Sequence, residues 1–359
     1  MDRPSVTFVV MAGGRGERLW PLVRADRPKV CVSPEGRDSL LGATLARLRG
    51  VWPGADWLIV TTREQAGPVR RAVLPSLRRA VLVEPMIRNT AACLTLSAAL
   101  VARRDPQRIL VVVPADHWVG GGARNAAAYR RSLRAAIQAS AREQTIAVIG
   151  LKPTHPHPGF GYVRAGARVK GAGAARVFRV ARFIEKPTRT MAARLLRQGR
   201  TYWNAGMFVG PARAFLELTA RQLPEHVNRL VPLARQAGRP GWLGRAARAY
   251  QRLPSISFDH GVMVPSRTGL VVEGPFQWAD LGSWDSWSRL RGRTPVVSVD
   301  SRRVTVVSDP GHLVVAIGLR DIVVVRTERA TLVCRADRAQ AVRDALRQIR
   351  QDPRLAAFE

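Results

Sequence analysis

The chain has 359 residues, 46% of them hydrophobic, and carries 58 Lys+Arg against 26 Asp+Glu for a net charge of +32 and a pI near 11.8. That content suffices for one large core and a smaller accessory one, and no run of about 18 apolar residues is present to span a bilayer. A soluble, cytoplasmic protein of two domains with no membrane partner is expected. The arginines are spread along the chain without a zinc-finger, helix-turn-helix or RNP signature, so biased composition is favoured over a specific nucleic-acid partner.

The first expected element is a buried strand over 6–11, V-T-F-V-V-M, which breaks into A-G-G-R-G-E-R-L-W-P-L and reaches Pro28-Lys29. Gly13, Gly14 and Gly16 free the backbone to turn successive N–H groups toward an anion, and Arg15, Arg18 and Lys29 add mobile positive charge. G-x-x-x-x-G-K-[ST] is absent, and Leu19 stands where a dinucleotide fingerprint needs its third glycine. An ordinary glycine turn in an arginine-rich chain is the alternative. Lys29, Lys152, Lys170 and Lys186 are the only lysines, so 54 of the 58 cations are arginine. Positions that keep a compact ammonium are candidate sites.

Downstream, β-rich runs at 57–61, 80–83 and 109–113 alternate with helical patterns at 40–48, 63–74, 90–103 and 126–141, as in a largely parallel sheet covered by helices. Ligands of such sheets bind beyond the carboxyl ends of the strands, where the glycine loop and Pro114-Ala115-Asp116-His117 fall. Asp116 is either a ligand or a turn cap. Residues 151–290 carry four unusual clusters: L-K-P-T-H-P-H-P-G-F-G-Y at 151–162, F-I-E-K-P at 183–187, Y-W-N-A-G-M-F at 202–208 and W-A-D-L-G-S-W at 278–284. Amides and carboxylates beside aromatic rings suit a sugar, with edge strands and aromatic core as the alternative. His155 and His157 lack a third ligand and read as loop residues, and Cys31, Cys93 and Cys334 fit neither a disulfide framework nor a zinc site. After about residue 294, short β-branched runs suggest a small β-solenoid or sheet with a role in packing or dimerisation, then a helical tail over 336–350. No sequence repeat is evident there.

Together these motifs resemble the mannose-1-phosphate guanylyltransferases (GDP-mannose pyrophosphorylases) of the sugar-phosphate nucleotidylyltransferase superfamily. The resemblance rests on A-G-G-R-G-E-R-L-W-P-L with Pro28-Lys29, E-P-x-x-R-N-T-A at 84–91, P-A-D-H at 114–117, G-F-G-Y, F-I-E-K-P, W-N-A-G-M-F, S-F-D-H-G-V-M and W-A-D-L-G-S-W, in the family's order. It implies a Rossmann-like α/β catalytic domain over 1–290, with a mixed, mainly parallel sheet and helices on both faces. A short left-handed β-helix-like domain with a C-terminal helix would cover 291–359, ending before the isomerase domain of bifunctional members.

The implied activity is transfer of GMP from GTP to mannose 1-phosphate with Mg²⁺, in a homodimer. By the family's pattern Arg18 and the loop amides of Gly13, Gly14, Arg15 and Gly16 hold the leaving phosphates, and Lys29 bridges nucleotide and sugar phosphate. Asp116 and Asp280 coordinate the metal. Gly161, Glu185, Lys186 and Asn204 bind the sugar phosphate, and Arg88, Asn89 and Thr90 lie on the guanine side. Val264 departs from the pattern, standing where the family commonly has Glu. A nucleotidylyltransferase for another base or sugar, and a non-catalytic nucleotide-sugar-binding regulator, are the competing expectations; retention of Arg18, Lys29, Asp116 and Asp280 argues against the regulator.

Overall fold

The structure, a computed structural model, describes residues 3–34, 36, 38–170, 175–288, 296–309 and 311–359. The predicted alternation is realised as β1 (Val6–Met11), α1 (Leu40–Arg49), β2 (Asp56–Thr62), α2 (Ala66–Ala72), β3 (Val81–Glu84), α3 (Asn89–Ala102), β4 (Ile109–Pro114), the short β5 (Trp118–Val119), α4 (Ala123–Glu143) and β6 (Ala147–Leu151). Strands β3-β2-β1-β4 lie side by side in parallel. Successive side chains of a strand point to opposite faces, and here both faces are covered. Val6, Phe8, Val10, Val111 and Val113 join Leu41, Leu45 and Leu48 of α1 and Tyr129 and Leu133 of α4. On the other face Val9, Leu110 and Val112 join Leu94 and Ala98 of α3. This two-sided burial is why the strands read as unbroken apolar runs, and each fully buried leucine contributes about 1.5–3 kcal/mol.

The chain continues through β7 (Gly161–Arg168), β8 (Val177–Glu185), α5 (Arg189–Arg197), β9 (Thr201–Pro211), α6 (Ala212–Gln222), α7 (Pro224–Arg235), α8 (Trp242–Gln251), α9 (Val264–Ser266), β10 (Leu270–Glu273), β11 (Trp278–Ala279) and α10 (Trp284–Ser288). Antiparallel β9 sits beside β4 and extends the sheet through β6, β10, β8 and β7, giving nine strands that are parallel in the first half and mostly antiparallel in the second. Helix α3 is apolar all round because its outer residues Ala92, Leu96 and Ala99 are covered by Leu230, Leu233 and Tyr250 of α7 and α8. A ribbon of β5 and β11 pairs Trp278 with Val119 and lays the W-A-D-L-G-S-W segment across the end of β4.

The C-terminal part holds β12 (Val296–Val299), β13 (Arg302–Ser308), β14 (Val314–Ile317), β15 (Arg320–Arg326), β16 (Thr331–Arg335) and α11 (Val342–Gln351), the last preceded by a 3-10 turn. β12 pairs with β14 and β13 with β15 in parallel, both at a constant offset of 18 residues, Val296 to Val314 and Arg302 to Arg320. The backbone therefore coils with a period of 18 residues, although no sequence repeat marks it. Beyond Arg302/Arg320 the matched positions are apolar, such as Val304/Ile322 and Val306/Val324, and hide among other valine runs. The expected division at 290/291 lies outside the described residues. Among the described residues no helix is long and apolar enough to cross a membrane.

Candidate active site

The glycine loop leaves β1 and is tied down at its start. The Ala12 carbonyl accepts from Thr61 Oγ1 at 2.9 Å, and that of Gly14 from Gln65 Nε2 at 2.8 Å. Gly16 has φ 61°, and a Cβ there would stand 2.9 Å from Lys29 Cβ, so only glycine lets the loop close over that lysine. Arg15 is drawn outward to Glu17 and Glu64, each at 3.7 Å. Arg18 is placed differently: its Nη2 lies 3.0 Å from where a Cβ on Gly282 would stand, as does Asp280 Oδ2. The Arg18 guanidinium thus lies against the Asp280 segment, and no ion-pair partner for it occurs among the described residues.

Lys29 is the centre of the arrangement. Its ammonium donates to Asp116 Oδ2 at 2.7 Å and to the Asp280 main-chain carbonyl at 2.7 Å, joining the ends of β4 and β11. An ammonium has three donors, and these contacts use two. Desolvation pushes the Asp116 carboxyl up, but the Lys29 charge, with His117 behind it, more than offsets this and holds it below the usual range. Asp280 Oδ1 accepts from the Gly282 N–H at 2.7 Å, with Ser286 Oγ at 3.3 Å, which fixes its carboxylate on the turn into α10. His117 packs edge-on against Trp278 at 5.1 Å, and burial pushes its pKa down against the pull of Asp116.

A second group lies where β7, β8 and β9 run together. Strand register places Gly161 opposite both Glu185 and Asn204, so these three form one row across the sheet. A Cβ on Gly161 would stand 2.6 Å from Glu185 Oε2; glycine keeps the middle of the row open. Asn204 Nδ2 donates to Asp259 Oδ1 at 2.5 Å while its Oδ1 accepts from the Gly206 N–H at 3.0 Å. Asp259 belongs to S-F-D-H-G-V-M, where nothing in the sequence sets it apart. Burial and the neighbouring Glu185 raise its pKa to about 6. Lys186, at φ 46° and largely exposed, pairs with Glu185 at 2.8 Å. The rings of His157 and Phe160 stack at 3.9 Å, and Phe160 meets Trp203 and Trp278 edge-on, so three of the four clusters form one wall, which the fourth joins through Glu185 opposite Gly161. Val264 packs on the apolar face of the sheet beneath.

Arg88, Asn89 and Thr90 open α3 and are not grouped with Lys29. The Arg88 guanidinium donates to the carbonyls of Tyr250 at 2.8 Å and Gln251 at 3.1 Å at the end of α8, and Thr90 Oγ1 accepts from the Phe258 N–H at 2.8 Å. These two side chains brace the segment. Asn89 adopts φ 61°, and its Oδ1 accepts from the Thr90 N–H at 2.8 Å.

No cluster of three or more His, Cys, Asp or Glu able to hold a metal unaided occurs among the described residues. Asp116 and Asp280 nevertheless suit a hard octahedral cation, which takes one or two carboxylates and completes its shell with substrate phosphate oxygens and water.

A glycine loop, an arginine with no ion-pair partner among the described residues and a lysine that gathers two aspartates lie together at the carboxyl end of a parallel sheet, a set of groups whose chemistry suits polyphosphate. The chain belongs to the nucleotidyl transferases, whose family profile, described as Nucleotidyl transferase, matches residues 7–293. Residues 294–349 match the MannoseP isomerase/GMP-like beta-helix domain. Within that family it groups with the mannose-1-phosphate guanylyltransferases. ManC of Salmonella typhimurium (strain LT2), a mannose-1-phosphate guanylyltransferase, is 32% identical over 364 residues, spanning 96% of this chain and 73% of its own. XanB, a xanthan biosynthesis protein of Xanthomonas campestris pv. campestris (strain B100), is 32% identical over 97% of this chain and 74% of its own. A crystal structure from Thermus thermophilus, described as a mannose-1-phosphate geranyltransferase, superposes with a TM-score of 0.82 at 33% identity, over 97% of this chain and 100% of that one. The protein is an enzyme of nucleotidyl transfer to a sugar phosphate.

Proposed function

We propose that the enzyme transfers GMP from GTP to α-D-mannose 1-phosphate, releasing pyrophosphate. The observation that carries this reading is the convergence of Lys29 on Asp116 and Asp280 beside Arg18, with the Gly161, Glu185 and Asn204 row available for a sugar. A phosphate oxygen of the sugar attacks the α-phosphorus of the nucleotide in line. The bond to the bridging oxygen of the β-phosphate breaks, and pyrophosphate leaves with the electron pair. Arg18 and the loop amides hold the leaving phosphates, and the third donor of Lys29 reaches phosphate between the two substrates. Asp116 and Asp280 would hold Mg²⁺, which when bound neutralises phosphate charge and orients the oxygens. Glu185 and Asn204 accept and donate to sugar hydroxyls, and Lys186 reaches the sugar phosphate. Arg88 and Thr90 set the nucleobase side through the segment they brace.

The test is pyrophosphate release across a matrix of nucleoside triphosphates and hexose 1-phosphates. Greatest turnover is expected with GTP and mannose 1-phosphate. Greater turnover of UTP or dTTP with glucose 1-phosphate would replace the substrates while keeping the reaction class.

A further inference from the structure

The segment that carries Arg18 is held from the C-terminal end of the chain. A cavity of about 250 Å³ lies behind it, walled on one side by Arg15, Glu17 and Trp20 and on the other by Leu346, Arg350 and Glu359. Two polar links join these walls: Arg350 Nη2 donates to Glu17 Oε1 at 2.8 Å, and Trp20 Nε1 donates to the Phe358 carbonyl at 2.7 Å. Beside them Leu19, Trp20, Leu22 and Val23 share one apolar cluster with Val342 and Leu346. Glu17 and Arg18 belong to the same 3-10 turn, Glu17–Leu19, so a force on one reaches the other within a turn. Glu17 has two cations to choose from, Arg350 at 2.8 Å and Arg15 at 3.7 Å.

We propose that Arg350 is a positioning residue for the phosphate loop. By engaging Glu17 it fixes the turn that carries Arg18 and weakens the hold of that carboxylate on Arg15, which meets the same oxygen only at 3.7 Å, and it does so without touching substrate. A charge-assisted pair of this geometry is directional, so a fixed Arg350 determines where Glu17 points. The proposal rests on the reading of Arg18 as the cation for the leaving phosphates.

Arg350→Gln should raise the KM for the nucleoside triphosphate about fivefold or more, with kcat and the KM for the sugar phosphate changed less than about twofold. Adding Glu17→Gln should bring no further loss, because both changes break the same link. Arg350→Lys should recover most of the affinity. In the substrate-free protein, amide hydrogen exchange over residues 12–24 should quicken in Arg350→Gln. If that variant fails to fold, Trp20→Phe, which removes the indole N–H together with part of a buried ring, should raise the same KM. An unchanged nucleotide KM, a rise shared equally by both substrates, or additive losses would overturn the proposal. A wild-type enzyme inactive with every triphosphate would defeat the reading of the site, while the exchange rates would still decide whether Arg350 holds the loop.

Discussion

Replacing Glu84 with Gln should stabilise the protein by an amount that grows with pH. The carboxyl ends β3, is 6% exposed, and accepts a hydrogen bond from the Tyr250 hydroxyl at 2.9 Å. Burial lifts its pKa from 4.5 to about 7, and the Tyr250 bond pulls it back only in part. A carboxyl whose folded pKa exceeds its unfolded one holds its proton more tightly in the native state. Its favourable contribution is therefore complete below pH 4.5 and is lost as pH rises through about 7. At pH 8 the native protein must ionise a buried group, which costs on the order of 3 kcal/mol, against about 1 kcal/mol at pH 5. Gln keeps an acceptor for Tyr250 and cannot ionise. Any packing penalty of the amide is the same at both pH values, so the difference between them, about 2 kcal/mol, isolates the ionisation. In melting temperature the gain at pH 8 is on the order of 5 °C for a catalytic region of this size. Thermal unfolding of both proteins at the two pH values reads it directly. An equal shift at pH 5 and pH 8 would refute the reasoning, because the side chain would then act through packing alone.

Lys29→Arg keeps the charge but should lower kcat/KM by about tenfold or more: the site holds a compact ammonium between two oxygens under Gly16, and a planar guanidinium does not fit there. Wild-type kinetics in that variant would remove the lysine from the mechanism. Asp116→Asn and Asp280→Asn should each reduce turnover by about three orders of magnitude or more with little loss of fold, and the double variant should be hardly worse than either, since both serve one ion. Full activity of either at ordinary Mg²⁺ would end the two-aspartate reading. Asp259, with its pKa near 6, should make the KM for the sugar phosphate fall as pH rises through 6, a step that Asp259→Asn loses. Because a phosphate monoester also titrates near pH 6, the informative quantity is the ratio of variant to wild type; a ratio flat with pH would exclude Asp259 from the sugar site.

The elements that the sequence disclosed are those whose cause is local. The run Val6–Met11 is apolar because both faces of β1 are buried, and Gly16 is glycine because its φ and the Lys29 side chain leave no room for a Cβ. Lys29 stood out as a lysine kept among arginines, and its two hydrogen bonds give that choice a geometry. Periodicity carries no information about which distant segments meet. The closeness of Asp116 to Asp280 depends on the β5–β11 ribbon, whose two-residue strands are too short to leave a pattern, and only the family's motifs pointed to it.

What escaped the sequence is held by contacts between remote parts of the chain. The family's pattern puts Arg88 on the guanine side with Asn89 and Thr90, yet its guanidinium is spent on the main-chain carbonyls that close α8, a role visible only once α8 is packed on α3. Asp259 acquires its raised pKa from burial and from Glu185, on a strand far from it in sequence. Apart from Arg302/Arg320, the 18-residue coil of the C-terminal strands preserves little but apolar character, because one face of each strand is all that the coil constrains. That coil also delivers α11 to the back of the glycine loop, so a part of the chain in which the sequence shows no chemistry supplies Arg350 to the turn that carries Arg18. The division of labour follows from the physics: glycines and cations must be local to make a phosphate loop, whereas the groups that hold such a loop in place need only be near it in space.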